Sequence, residues 1–287
     1  MDILIIGAVR GALYSLIAVG FVLIFSVGGI LNLAHGTYYM LGAYLTFIFY
    51  SLVFGTGGTN FLIISVILSV VSVGIIACLA YYILLRPHIQ SLTYVMVMTL
   101  AIALFVSEFM SLLFGISGTS IPSLVEGSIS IGGIKVINQQ LILIPITALI
   151  LPALWYFLKK TKMGQGIDAV AQQRTGAILM GVSVETATLI TSGLSAGLAA
   201  LAGALIAPVS NVVPEMWLFP LIKAFAIAIL GGIGSLAGSV IASFVVAYAE
   251  VLSSFLINEQ LTELVALVVI IFVLLFKPSG IMGYKLR

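Results

Sequence analysis

Apolar runs of about the length of a bilayer crossing repeat along almost the whole chain: residues 4–25, 37–54, 61–85, 93–114, 141–158, 186–208, 219–230, 240–257 and 261–276. A helix rises 1.5 Å per residue, so about 20 apolar residues span the hydrocarbon layer. Lipid offers the backbone no hydrogen-bond partners, and runs of this length satisfy their own amides only as helices. Composition agrees. Of the 287 residues, 62% are hydrophobic and 7% charged, against about a quarter charged in soluble domains. The sequence therefore predicts an all-α, polytopic membrane protein with residues 1–287 as a single transmembrane domain. Its first run lacks a basic flank and is too long for a signal peptide, and reads as a retained span.

Two places interrupt this pattern. Gly28, Gly29 and Asn32 break the chain near 28–36, and Gly231, Gly232 and Gly234 follow a short seventh run near 231–238. The count is therefore eight or nine crossings, with the first residues outside for nine and cytoplasmic for eight. Irregular backbone at membrane depth is tolerated only beside protein or a water-filled cavity, so both breaks are candidates for a transport path. Arg86, the group Lys159, Lys160, Lys162 and Arg174, and the tail Lys277, Lys285 and Arg287 fall on one side, the cytoplasmic one by the positive-inside rule. Residues 115–140 then form an outward loop, with a hairpin signal in Ser128–Val136 around Gly132-Gly133. Glu126, Lys135, Glu215, Glu259 and Glu263 are outward charges suited to steering a docking protein.

Residues 159–185 differ from the rest. They hold six of the 20 acidic and basic residues and no spanning run. Ile167, Val170, Ala171, Ile178 and Val182 recur at near-helical spacing, predicting one short amphipathic helix over 165–182 on the cytoplasmic side. It either lies on lipid headgroups or docks a cytoplasmic partner. Its thin Ala- and Gly-rich surface favours a protein groove.

Little in the chain supports catalysis. There is no G-x-x-x-x-G-K-[ST] phosphate loop and no H-E-x-x-H, and two histidines make no metal cluster. Cys78 stands alone in an apolar run, and a net charge of +2 points to no nucleic acid. An intramembrane hydrolase using a serine with His35 lacks any serine motif. Asn32 and His35 sit three apart in the first break. Either they line a path or gate, or Asn32 caps the following helix and leaves His35 near the headgroups. Gly231, Gly232, Gly234 and Gly238 allow close backbone approach, as do Gly193, Gly197 and Gly203. Lys223 and Glu250 are charges within adjacent runs: either they meet each other or a second subunit, or Lys223 snorkels to the outer face and Glu250 lies near a helix end. Glu108 poses the same question, and Arg10 is expected to snorkel.

The blocks Gly11–Gly20, Asn32-Leu33-Ala34-His35-Gly36 and Met40-Leu41-Gly42-Ala43-Tyr44 resemble the N-terminal half of LivH-type permeases, membrane subunits of ABC importers for branched-chain amino acids. The resemblance continues through Met163-Gly164, Ala169-Val170-Ala171-Gln172 and Leu179-Met180-Gly181-Val182. It ends in Leu230-Gly231-Gly232-Ile233-Gly234-Ser235 and Lys277-Pro278-Ser279-Gly280-Ile281-Met282-Gly283. It implies a permease in a bacterial or archaeal cytoplasmic (inner) membrane, surrounded by lipid. The partners it implies are a second permease, two ATP-binding subunits and an extracytoplasmic substrate-binding protein. No cofactor would be held by this chain, and ATP would be used by the partners. The 159–185 segment becomes a coupling segment seated in an ATPase groove, with Gly164, Asp168, Ala171, Ala177 and Gly181 at its core. Asn32, His35, Gly36, Gly231, Gly232 and Gly234 become path or gate residues. Gln165, Asp168 and Gln173 depart from the family's pattern, which places basic residues at the first two and an acid at the third. Relatives carrying urea, short amides or other amino acids leave the cargo open, and a self-contained channel or ion-coupled carrier is the alternative from another class.

Overall fold

The computed structural model describes residues 2–256 apart from 56, 57, 90, 126, 132 and 133, together with 268, 271, 275 and 280–283. Its helices are α1 (Asp2–Gly28), α2 (His35–Phe47, extended by a π-helical turn Ile48–Val53), α3 (Gly58–Ala80, with a π-helical turn Tyr81–Leu85), α4 (Leu92–Phe114), α5 (Asn138–Leu141), α6 (Leu143–Lys160), α7 (Lys162–Gln172), α8 (Arg174–Leu179), α9 (Val184–Ile206), α10 (Leu218–Gly231) and α11 (Leu236–Leu256). A hairpin of β1 (Ser128–Ile131) and β2 (Ile134–Ile137) pairs Ile129 with Val136. Its Gly132-Gly133 link lies outside the described residues. Eight of the nine apolar runs coincide with helices; the ninth, 261–276, falls mostly outside the described residues. Six of the described helical stretches are long and apolar enough to cross a membrane, and α10 is a shorter apolar helix.

Short polar side chains set several helix starts. Thr161 accepts from Gly164 N at 3.0 Å, Ser91 from Tyr94 N at 3.3 Å and Ser183 from Thr186 N at 3.2 Å, which satisfies amides that have no partner within their own helix. Gly29 and Gly115, both at positive φ, follow α1 and α4.

The helices divide into a centre and a rim. α1 is the core, with 89% of its apolar window buried against α11, α9, α10 and α6. α9 packs on α1, α2 and α3 through small residues. A Cβ on Gly42 would meet Ala200 Cα at 2.5 Å, and one on Gly203 would strike the Tyr39 carbonyl. In lipid such contacts replace the hydrophobic effect between helices. α3, α4 and α6 form the rim, where Phe105, Leu112 and Leu149 project outward.

Side assignments follow from contacts. Leu23 and Val27, late in α1, cluster with Leu158, Ile167, Val170 and Ala177, so α1 ends on the face that carries α7 and α8. Arg86 reaches Glu185 at 2.8 Å and Lys159 reaches Asp168 at 2.8 Å on that face. α11 runs antiparallel to α1, with Gly7 against Tyr248 and Gly11 against Phe244. The start of α1 and Leu256 therefore share the opposite face. Gly280–Gly283 lie against the end of α10, on the α7–α8 face.

The loop of residues 115–140 is anchored at two points. Thr119 and Val212 exchange backbone hydrogen bonds of 3.0 and 2.9 Å. Gln139 is fully buried; its Oε1 accepts from Leu124 N at 2.9 Å, and its Nε2 donates to Leu205 O at 3.1 Å.

One expectation is overturned by the structure, and the shortness of the seventh run is seen in α10. The amphipathic segment is two helices, not one: Gln173 adopts an extended conformation (φ −153°, ψ 98°) and separates α7 from α8. The 14-residue α10 spans only about 21 Å at helical rise, too short for the ~30 Å hydrocarbon layer. Residues 207–217 join the end of α9 to the start of α10, on the face opposite α7 and α8.

Candidate functional site

The first break turns the chain back on itself at depth. After Gly29 (φ 63°), Leu33 N donates to Thr99 Oγ1 of α4 at 3.1 Å, and Asn32 Oδ1 accepts from Ala34 N at 3.0 Å. Asn32 thus stabilises a local turn, and Ala34, which makes no side-chain cap, precedes α2.

His35 lies inside the helix bundle. It is fully buried, with Nε2 2.9 Å from Ile17 O and Nδ1 3.3 Å from Ser195 Oγ. A carbonyl only accepts, so Nε2 carries the proton; in the neutral ring Nδ1 then accepts from the Ser195 hydroxyl. The imidazole therefore ties α1, α2 and α9 together. Phe21 meets its ring edge-on, with centroids 5.5 Å apart. Gly36 lies so close to α10 that an added Cβ would strike the Trp217 carbonyl and approach Leu221 Cβ to 2.9 Å.

Two neighbouring apolar cavities, of about 80 and 170 Å³, share Phe21 of α1 and Phe225 of α10. The first break lends Leu31 and Leu33 to one, and the second lends Ile233 and Gly234 to the other. Both interruptions thus open onto one apolar groove. Of the residues proposed from sequence, Gly234 lines it. Asn32, His35 and Gly36 sit behind it as supports, and Gly231 and Gly232 pack on other backbone. Leu31, Leu33 and Phe225 carried no signal in sequence, because apolar residues inside apolar runs look alike.

A second polar feature lies among α1, α10 and α11. The Glu250 carboxylate, fully buried, accepts from Tyr14 OH at 2.6 Å, and Lys223 Nζ stands 3.2 and 3.3 Å from its two oxygens. Lys223 also donates to Tyr14 OH at 2.7 Å, and Arg10 Nη1 approaches Glu250 at 3.9 Å from a half-exposed position. Lys223 and Glu250 thus meet within one chain. Tyr14 and Arg10 join them at helical spacing on α1, which sequence reasoning did not anticipate.

On the α7–α8 face, Asp168 receives Lys159 Nζ and Gln172 Nε2. Gly164 fits against the Leu158 backbone and Ala177 is buried against α9. Gly181 (φ 81°) turns the chain toward α9, and Ala171 is exposed. Ile178, Leu179 and Met180 project with little cover. On the opposite face, Glu108 and Glu215 line a cavity of about 320 Å³ with Ser107 and Ser111. Lys135 lies in β2, while Glu126, Glu259, Glu263 and the tail cations Lys277, Lys285 and Arg287 lie outside the described residues.

Against known proteins, a family described as branched-chain amino acid transport system / permease component matches residues 3–274. The high-affinity branched-chain amino acid transport system permease protein LivH of Escherichia coli K12 is 29% identical, covering 96% of this chain and 93% of its own. The corresponding permease protein BraD of Pseudomonas aeruginosa is 27% identical over 98% and 94%. A probable LivH of Methanocaldococcus jannaschii is 28% identical over 93% and 88%. Among solved structures, PsaBC from Streptococcus pneumoniae in complex with Fab shares the fold, with a TM-score of 0.52 at 15% identity, covering 97% of this chain and 93% of that one.

Proposed function

The chain belongs to the permease-component family of branched-chain amino acid transport systems, and on that premise we propose that it is the membrane-spanning subunit of an ABC importer for branched-chain amino acids. The supporting observation is that the family match runs through every described membrane helix and the α7–α8 segment between them. The chain is a multi-pass membrane protein, and its proposed site is the cytoplasmic membrane of a bacterium or archaeon. A second permease, two ATP-binding subunits and an extracytoplasmic binding protein complete the assembly.

In this reading the chain performs no chemistry on its cargo and holds no nucleotide. ATP bound by the partners draws α7 and α8 inward, and the membrane helices rock between two open states. The exposed Ile178, Leu179 and Met180 seat in an ATPase groove. The groove between Phe21 and Phe225 forms part of the path. Its apolar lining suits an isobutyl or isopropyl side chain better than urea, which needs hydrogen-bond partners throughout.

The test is to purify the chain from native membranes, identify its companions, and measure uptake by the recovered complex in proteoliposomes with its binding protein. Two ATPases, a second permease and uptake of leucine, isoleucine or valine are expected. Recovery of the chain alone under conditions that preserve a control ABC complex, or uptake of urea in preference to leucine, would overturn the reading.

A further inference from the structure

The last turn of a helix leaves its carbonyls without helical partners. At the end of α10, Gly232 N donates to Ile229 O at 3.1 Å. The next two carbonyls are taken by a distant part of the chain: Ile281 N donates to Leu230 O at 2.8 Å, and Met282 N to Gly231 O at 3.0 Å. The backbones interlock where they meet. Gly232 (φ 99°) and Gly280 (φ 75°) both occupy the left-handed region. A Cβ on Gly280 would come within 2.5 Å of Gly232 N, and one on Gly232 would collide with Gly283 N. Ile281 packs its side chain against the cluster formed by Tyr14, Ala18, Ile227 and Leu230. Gly231 and Gly238 approach each other with no room for a side chain, so the α10–α11 turn is held on both sides.

We infer that residues 280–283 are a positioning latch for the transport path: they fix the end of α10, and with it Ile233 and Gly234, where the groove meets the α7–α8 face. The role of the latch in transport rests on the importer reading; its docking rests on the hydrogen bonds alone. The latch is held by backbone donors and one apolar plug, so it responds to changes that remove an N–H and tolerates changes at exposed side chains. Met282 is half-exposed, which makes the contrast clean.

The experiment compares Met282→Ala, Met282→Pro and Ile281→Pro in the assembled complex, reading leucine imported per ATP hydrolysed at matched assembly. Met282→Ala keeps the donor and retains wild-type coupling. Each proline leaves a carbonyl unpaired, and coupling falls by about tenfold while ATP hydrolysis continues. Wild-type coupling in both proline variants would overturn the proposal. Amide exchange in the wild-type complex, which needs no variant, provides the second readout: Ile281 and Met282 should exchange far more slowly than an unstructured peptide, and exchange at the peptide rate would also overturn it. A wild-type complex that imports no amino acid would refute the importer reading while leaving the exchange result to decide the docking.

Discussion

Glu250 shows what one side chain does at membrane depth. Its buried carboxylate is shared by Tyr14 and Lys223 and approached by Arg10. Removing it leaves a partly buried ammonium and a half-exposed guanidinium without their anion, so Glu250→Gln should cost about 1–3 kcal/mol in unfolding free energy, the range for leaving a polar partner unsatisfied. Adding Lys223→Met should restore a large part of that in denaturant titrations of the purified chain; an additive loss would mean that the ammonium draws nothing from this carboxylate. Gly36 makes a steric counterpart. Gly36→Ala pushes a methyl group into the Trp217 carbonyl, and overpacking of this kind costs about 1–3 kcal/mol, read as a drop in the unfolding midpoint. At this scale the sequence was partly legible. Charges inside apolar runs stand out and demand partners, which drew attention to Lys223 and Glu250. Tyr14 and Arg10 did not stand out in the same way, because a tyrosine has no need of a charged partner and an arginine can snorkel. His35 stands out in the sequence by its polarity, but the three helices its ring joins, α1, α2 and α9, are brought together only by the fold.

Whole elements were more legible than their junctions. Length and hydropathy marked the described membrane helices, and glycines marked both breaks, because few other signals compete inside an apolar run. The separation of α7 from α8 escaped notice: Gln173 is neither Gly nor Pro, and its extended backbone serves the turn that buries Ala177. The groove escaped as well, since it arises from helices far apart in sequence. Element-level chemistry yields a direct prediction for α8. Leu179 and Met180 are among the most exposed apolar side chains of the chain, so Leu179→Glu and Met180→Glu should change stability by no more than about 0.5 kcal/mol. Recovery of the ATP-binding subunits in a pull-down should fall to background. Full recovery with both variants would place the ATPase contact elsewhere.

The molecule as a whole has a definite sidedness, legible only in part. Basic residues suggested which face is cytoplasmic, yet the side on which α1 starts stayed open until its antiparallel packing with α11 placed that start opposite α7 and α8. In a chain carrying Cys78→Ala, a membrane-impermeant thiol reagent should therefore label Leu4→Cys on intact cells and Leu179→Cys only after permeabilisation. The reverse pattern would invert the molecule. α9 has a further consequence, for biogenesis. It is central, yet much of its surface is Ala, Gly, Ser and Thr, and it is less apolar than the peripheral α3, with mean hydropathy 1.9 against 2.9. Its close partners α1, α2 and α3 are all synthesised before it, so the ribosome delivers α9 to a face that already exists. The order of the chain thus spares this weakly apolar central span a solitary stay in the bilayer. A nascent chain lacking α2 should leave α9 lingering at the insertion machinery.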